Sequence, residues 1–108
     1  MSGIPAAVRN TVLDRAKGLC EGCGAATNLE LHHRKYRSRG GQHVASNLLA
    51  LCGWGNHTGC HGLAHSAHPP EGWSVHSWDH PAIQPVTLHR GRVILNDDGT
   101  EVTGAVVF

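Results

Sequence analysis

The sequence predicts a small α+β domain that depends on bound metal more than on a large core. Three observations carry this. The 108-residue chain is 40% apolar and 5% aromatic, with 14 glycines, and a core of that size is marginal without a staple. The four cysteines form two pairs, Cys-x2-Cys-x28-Cys-x7-Cys, at Cys20, Cys23, Cys52 and Cys60. The apolar pattern changes from helical spacing near the N-terminus to short strand-like runs further on. Neither a repeat nor a low-complexity tract divides the chain, so residues 1–108 read as one domain, with a core over 20–68 and a β extension over 72–108.

Residues 5–17 read as the N-terminal helix. Pro5 suits a first helical position, where a missing N–H costs nothing. Val8, Val12 and Ala16 recur every four residues with Leu13 beside them, and Gly18 is a stop signal. Arg9, Arg15 and Lys17 fall off this stripe and read as a solvated face. Cys20-Glu21-Gly22-Cys23-Gly24 reads as a knuckle, because the glycines let two thiolates converge on one ion. Alone this spacing is shared with redox motifs. Cys52 and Cys60 complete a four-thiolate structural zinc set, and Gly53, Gly55 and Gly59 let the longer loop fold back. Free cysteines or a disulfide are the alternative, and His57 is a spare ligand.

Residues 29–34 and 47–52 read as paired strands joined by a basic, glycine-bearing loop. Neighbouring strand residues point to opposite faces, so His32 and His33 can serve one site only where the strand ends or bends. Asn47 opens the second strand, where its amide can bond the backbone of the loop. Residues 58–67 read as a short helix ended by His68-Pro69-Pro70. His61 and His65, four apart, lie one above the other and suit two imidazoles on one metal. In the β extension Trp73, Val75, 87–89 and 92–95 are strand-like, while Arg90-Gly91 and 96–99 are turn signals. Trp73 and Trp78 read as packing residues. His76, His80 and His89 receive no role.

Charge is uneven. Residues 1–39 hold seven Lys/Arg against three Asp/Glu, whereas residues 40–108 hold two against five. Lys and Arg are absent between positions 40 and 89, yet eight of the ten histidines lie there. The chain shows no secretory signal and no apolar run of membrane-spanning length. An intracellular, reducing setting is therefore expected, in which clustered cysteines hold metal.

Taken in order, the cysteine pairs, Leu31-His32-His33-Arg34, Gly40-Gly41, Asn47, the run Leu48–Cys52 and Cys60-His61 resemble the HNH endonucleases over roughly residues 15–68. Their site is a ββα-metal unit, a two-stranded hairpin followed by a helix. The resemblance implies His33 as general base, Asn47 as the residue that positions the loop, and His32, His61 and His65 as ligands of a divalent cation. Many family members carry Asp at the place of His32. The imidazole shifts the expected cation from Mg²⁺ toward Mn²⁺, Ni²⁺ or Zn²⁺. Arg34, Lys35, Arg37 and Arg39 are expected to contact DNA phosphates without reading sequence. Small phage-borne members carry similar Gly-Trp and Asp-Gly tails, which implies phage packaging or replication proteins as partners and the host cytoplasm as location, with no membrane association. The leading expectation is a metal-dependent DNA endonuclease with a structural zinc. A non-catalytic zinc-finger-like DNA-binding module is the alternative, and a zinc-stabilised protein-interaction domain is a third reading that leaves the histidines and basic cluster unexplained.

Overall fold

Alternation within two apolar runs decides the architecture. In the computed structural model, which describes residues 3–55 and 57–103, Leu29–His33 forms β1 and Leu48–Cys52 forms β2. They pair antiparallel, with His33 opposite Leu48, His32 opposite Leu49 and Leu31 opposite Ala50. Period-2 alternation sends Leu29, Leu31, Leu48 and Ala50 to one face and Leu49 and Leu51 to the other. Leu48 through Leu51 are all fully buried. A strand covered on both faces reads as a continuous apolar run, which this one is.

Each face has its own cover. Helix α1, Ala6–Ala16, lays Val12 and Ala16 on Leu48 and Ala50, with Val8 and Leu13 at the margin. The opposite face meets Cys20, Trp73, Ala64 of helix α2 (Gly59–Ala64) and the apolar side of a second sheet. That sheet is an antiparallel meander of β3 (Val86–Leu88), β4 (Gly91–Leu95) and β5 (Glu101–Thr103). Its inward residues Val86, Leu88, Val93 and Leu95 alternate with exposed or half-buried neighbours. Among the described residues no helix is long and apolar enough to cross a membrane.

Several expectations shift by a residue or more. The helix stops at Lys17, which is itself left-handed at φ 57, one residue before Gly18 at φ 73. Asn47 lies in a 3-10 turn, Ala45–Asn47, rather than in the strand. Helix α2 is shorter than 58–67. After Ala64, His65 and Ser66 donate to the carbonyls of Gly62 and Leu63, and the Ser66 hydroxyl competes for the Leu63 carbonyl at 2.7 Å. Trp73 and Val75 are buried but lie outside the sheet. The Trp73 indole N–H donates to the Thr87 carbonyl at 2.7 Å, and the Val75 N–H donates to the Arg34 carbonyl. Trp78 departs from its expected packing role: it is 75% exposed and stacks on His76.

Two arginines are structural. The Arg15 side chain is 3% exposed, so it is not part of a solvated face. It holds the buried Glu21 carboxylate with two hydrogen bonds and donates to the carbonyls of Ala45 and Leu48. Glu21 also pairs with Arg90 and accepts the Ala50 N–H, so one carboxylate ties α1, the knuckle, β2 and the second sheet together. Arg34, expected at phosphate, is fully buried. Its guanidinium donates to the carbonyls of Gly72, Ser46, Pro81 and Gln84 at 2.7–2.9 Å. Burial, with nearby Arg15, lowers its pKa to about 10 against the opposing pull of Glu21, and it stays charged at neutral pH. Removing these donors would strand buried carbonyls at about 1–3 kcal/mol each. Arg34→Met should therefore cost at least about 3 kcal/mol and lower Tm by at least about 12 °C. Thermal circular dichroism checks this, and an unchanged Tm would return Arg34 to the surface.

Candidate functional site

The knuckle and the β2–α2 connection bring Cys20, Cys23, Cys52 and Cys60 together, with all four sulfurs within 4.8 Å of one another. Cys23 and Cys52 Sγ are 3.8 Å apart, and all four thiols are free. A tetrahedral ion with Zn–S bonds of about 2.3 Å needs sulfur edges of about 3.8 Å, so the set fits zinc. Main-chain N–H groups surround the sulfurs: Cys23 and Cys52 donate to Cys20 Sγ, and Cys60 donates to Cys52 Sγ, at 3.3–3.5 Å. For Cys20, burial pushes the thiol pKa up, but the N–H groups of Cys23, Cys52 and Gly22 and the Cys60 thiol bring it down to about 7. Burial and the neighbouring sulfurs push Cys52 and Cys60 the other way. Without a cation the four cannot ionise together, and a divalent ion reverses that balance.

On the Leu49 face of β1 a second group forms. Nitrogens of His32, His61 and His65 lie within 4.8 Å of one another, and the ring centroids are 5.0–5.3 Å apart. His32 is buried, and its Nε2 is 2.6 Å from the Trp73 carbonyl. That oxygen can only accept, so Nε2 carries the proton and Nδ1 keeps the lone pair. Burial drives the His32 pKa down to about 3. The Trp73 carbonyl opposes the shift, and His61, His65 and His33 add to it. His61 Nδ1 donates to Glu30 at 2.7 Å, which leaves Nε2 for a metal. His65 stacks on Tyr36, and burial, His61 and His57 lower its pKa. Three imidazoles at this spacing are a donor set that could hold a divalent cation.

His33, the last residue of β1, faces away from His32. Its Nε2 is 2.9 Å from Nδ1 of His43. Burial, then His43 and Arg37, lower its pKa to about 4, so it is neutral at physiological pH. Asn47, 1% exposed, clamps the loop: Oδ1 accepts from the Lys35 N–H at 2.7 Å, and Nδ2 donates to the carbonyls of Lys35 and Gln42. A cleft of about 450 Å³ runs along the free edge of β1, and His33, His61, Glu30 and Arg9 all line it. Opposite faces of the strand thus open onto one surface at its edge.

The remaining basic residues surround the loop. Lys35 is half-buried, while Arg37 and Arg39 are exposed. Arg37 donates to the Gly41 carbonyl. Arg39 donates to the Val75 carbonyl and lies 4.5 Å over the Tyr36 ring. Sequence reasoning missed two participants. Glu30 sits two residues before His32, on the same strand face, and that spacing could have found it. His43 lies in an irregular loop where no periodicity points to it.

A family model described as HNH endonuclease matches residues 20–66, the span holding both cysteine pairs, His32, His33, Asn47, His61 and His65. No curated protein and no solved structure matches the chain. An HNH match implies a nuclease-type or DNA-binding domain, and the thiol cluster is consistent with zinc beside it.

If the thiol cluster holds zinc, about one equivalent should survive dialysis and be lost on strong chelation together with the fold, since structural zinc binding is coupled to folding. Cys23→Ser should show both losses, read by elemental analysis and circular dichroism. A zinc-free Cys23→Ser variant that melts like the parent would refute the assignment.

Proposed function

We propose that this HNH-family segment is the catalytic unit of a metal-dependent DNA endonuclease, built on a structural zinc at Cys20, Cys23, Cys52 and Cys60. The observation that carries the reading is the shared cleft: neutral His33 and the cation-ready imidazole of His61 open onto the same edge of β1. His32, His61 and His65 would hold the cation. Once bound, it supplies charge neutralisation at the scissile phosphate and at the departing 3′-oxygen. The all-nitrogen set favours Zn²⁺, Ni²⁺ or Mn²⁺ over Mg²⁺. His33, uncharged at neutral pH, accepts the proton of the attacking water. The water oxygen forms the new bond to phosphorus, and the bond from phosphorus to the 3′-oxygen breaks. Asn47 keeps the loop folded so that His33 stays at the cleft, and Lys35, Arg37 and Arg39 meet flanking phosphates. Arg34 is left out of this contact set, being buried under four carbonyls. The setting we propose is that of small phage-encoded nucleases acting on DNA in the host cytoplasm, on the strength of the Gly-Trp and Asp-Gly tail.

Plasmid cleavage with added divalent metals tests this. The parent should give nicked or linear DNA. His33→Ala should keep DNA and metal binding and lose about 10²–10⁴-fold in rate, the usual share of a general base. His32→Ala should weaken catalytic-metal affinity, with activity partly restored by more metal. A parent that binds plasmid and never cuts it would make the segment a DNA-binding module. Parent-like cleavage by both variants would place the chemistry elsewhere.

A further inference from the structure

We propose that His43 is a positioning residue for the general base: it accepts a hydrogen bond from Nε2 of His33 and holds that ring in the tautomer whose Nδ1 lone pair is free for water. The inference rests on the reading of His33 as the base.

The contact itself is direct. His33 Nε2 and His43 Nδ1 are 2.9 Å apart, with ring centroids at 5.1 Å and a 55° tilt. A single hydrogen bond between two imidazoles has one donor and one acceptor. If His43 donated, Nε2 of His33 would accept, its own proton would sit on Nδ1, and neither nitrogen could take a proton from water. If His33 donates, Nδ1 keeps its lone pair. Among the described residues Nδ1 of His33 has no hydrogen-bond partner, so it is the atom left for the cleft.

His43 is held in place from three sides. Before it, the Gln42 carbonyl accepts from the Asn47 amide at 3.0 Å. After it, the Val44 carbonyl accepts from the Asn47 main-chain N–H at 2.9 Å. Over its far edge lies Gly3, where an added Cβ would come within 3.0 Å of His43 Nε2. Asn47 thus seats His43 as well as the strand–loop junction. The result is a chain of contact from Asn47 through the main chain around His43 to the imidazole of His33. A fixed tautomer and ring orientation are what a base needs when its proton acceptor must meet one water in one direction.

Substitutions at position 43 separate this role from packing. Asparagine places its Oδ1 where histidine places Nδ1 and can accept the same hydrogen bond. Leucine fills a similar volume with no acceptor. In single-turnover plasmid cleavage at saturating metal, His43→Leu should lose roughly 10- to 100-fold in rate with the Kd for DNA and for the catalytic metal unchanged. His43→Asn should return close to the parent rate. Long-range ¹H–¹⁵N NMR of the zinc-loaded protein gives a readout independent of activity: His33 should be the Nε2–H tautomer in the parent and in His43→Asn, and a mixture in His43→Leu. An Nδ1–H tautomer of His33 in the parent, or parent-rate cleavage by His43→Leu, would overturn the proposal. A parent that leaves plasmid intact would instead overturn the nuclease reading, while the NMR tautomer would still decide whether His43 orients His33.

Discussion

Four sulfurs within 4.8 Å of one another are the constraint on which the rest of the structure depends. Burial and the neighbouring sulfurs raise the Cys52 and Cys60 thiols, while main-chain N–H groups draw Cys20 down to about 7. The cluster therefore calls for a cation, and zinc at its centre would draw three segments to one point. Cys20 belongs to the core that joins β2 to the second sheet, so the thiol cluster lies against the packing of Leu49, Leu51 and Trp73. Cys60 anchors a six-residue helix too short to persist alone. The next residue is His61, a member of the histidine cluster with His32 and His65. The thiol cluster and the histidine cluster thus share one turn of helix.

A buried charge network adds to this anchoring. Glu21 lies inside the knuckle between Cys20 and Cys23, and Arg15 and Arg90 reach it from α1 and from the turn between β3 and β4. Glu101 completes the chain through Arg90. Breaking one member would leave a buried charge uncompensated, which is costlier than the pair is favourable. The arrangement fixes how the β extension docks, and Arg34 fixes it again through carbonyls on both sides of the junction.

Much of the fold was legible because it is written in period and spacing. The cysteine pairs, the alternating hairpin and the four-residue step from His61 to His65 are all regular, and the structure brings each set together. What escaped is irregular or masked by residue type. Arg34 stands in a basic run with Lys35, Arg37 and Arg39. Yet it shares strand parity with Glu30 and His32, and parity sends it inward under the C-terminal segment. Arg15 reads as solvated because it falls off the apolar stripe of its helix, and its partner, Glu21, lies beyond that helix. Residue type alone reads Trp78 as packing, and it cannot tell a core aromatic from one on an exposed turn. His43 gave no signal, since its importance comes from a loop closed by Asn47, and loop closure leaves no periodic trace.

We propose that two metal centres with separate tasks lie side by side on α2. Adding divalent metal stepwise to protein that already retains its zinc, while counting bound equivalents and following plasmid cleavage in the same samples, tests it most directly. Cleavage should be absent at one equivalent of retained zinc and should rise with occupancy of one further equivalent, with melting behaviour already complete before that second ion binds. Full cleavage at the single retained zinc, or a second ion that binds at the histidines and leaves cleavage unchanged, would contradict the account.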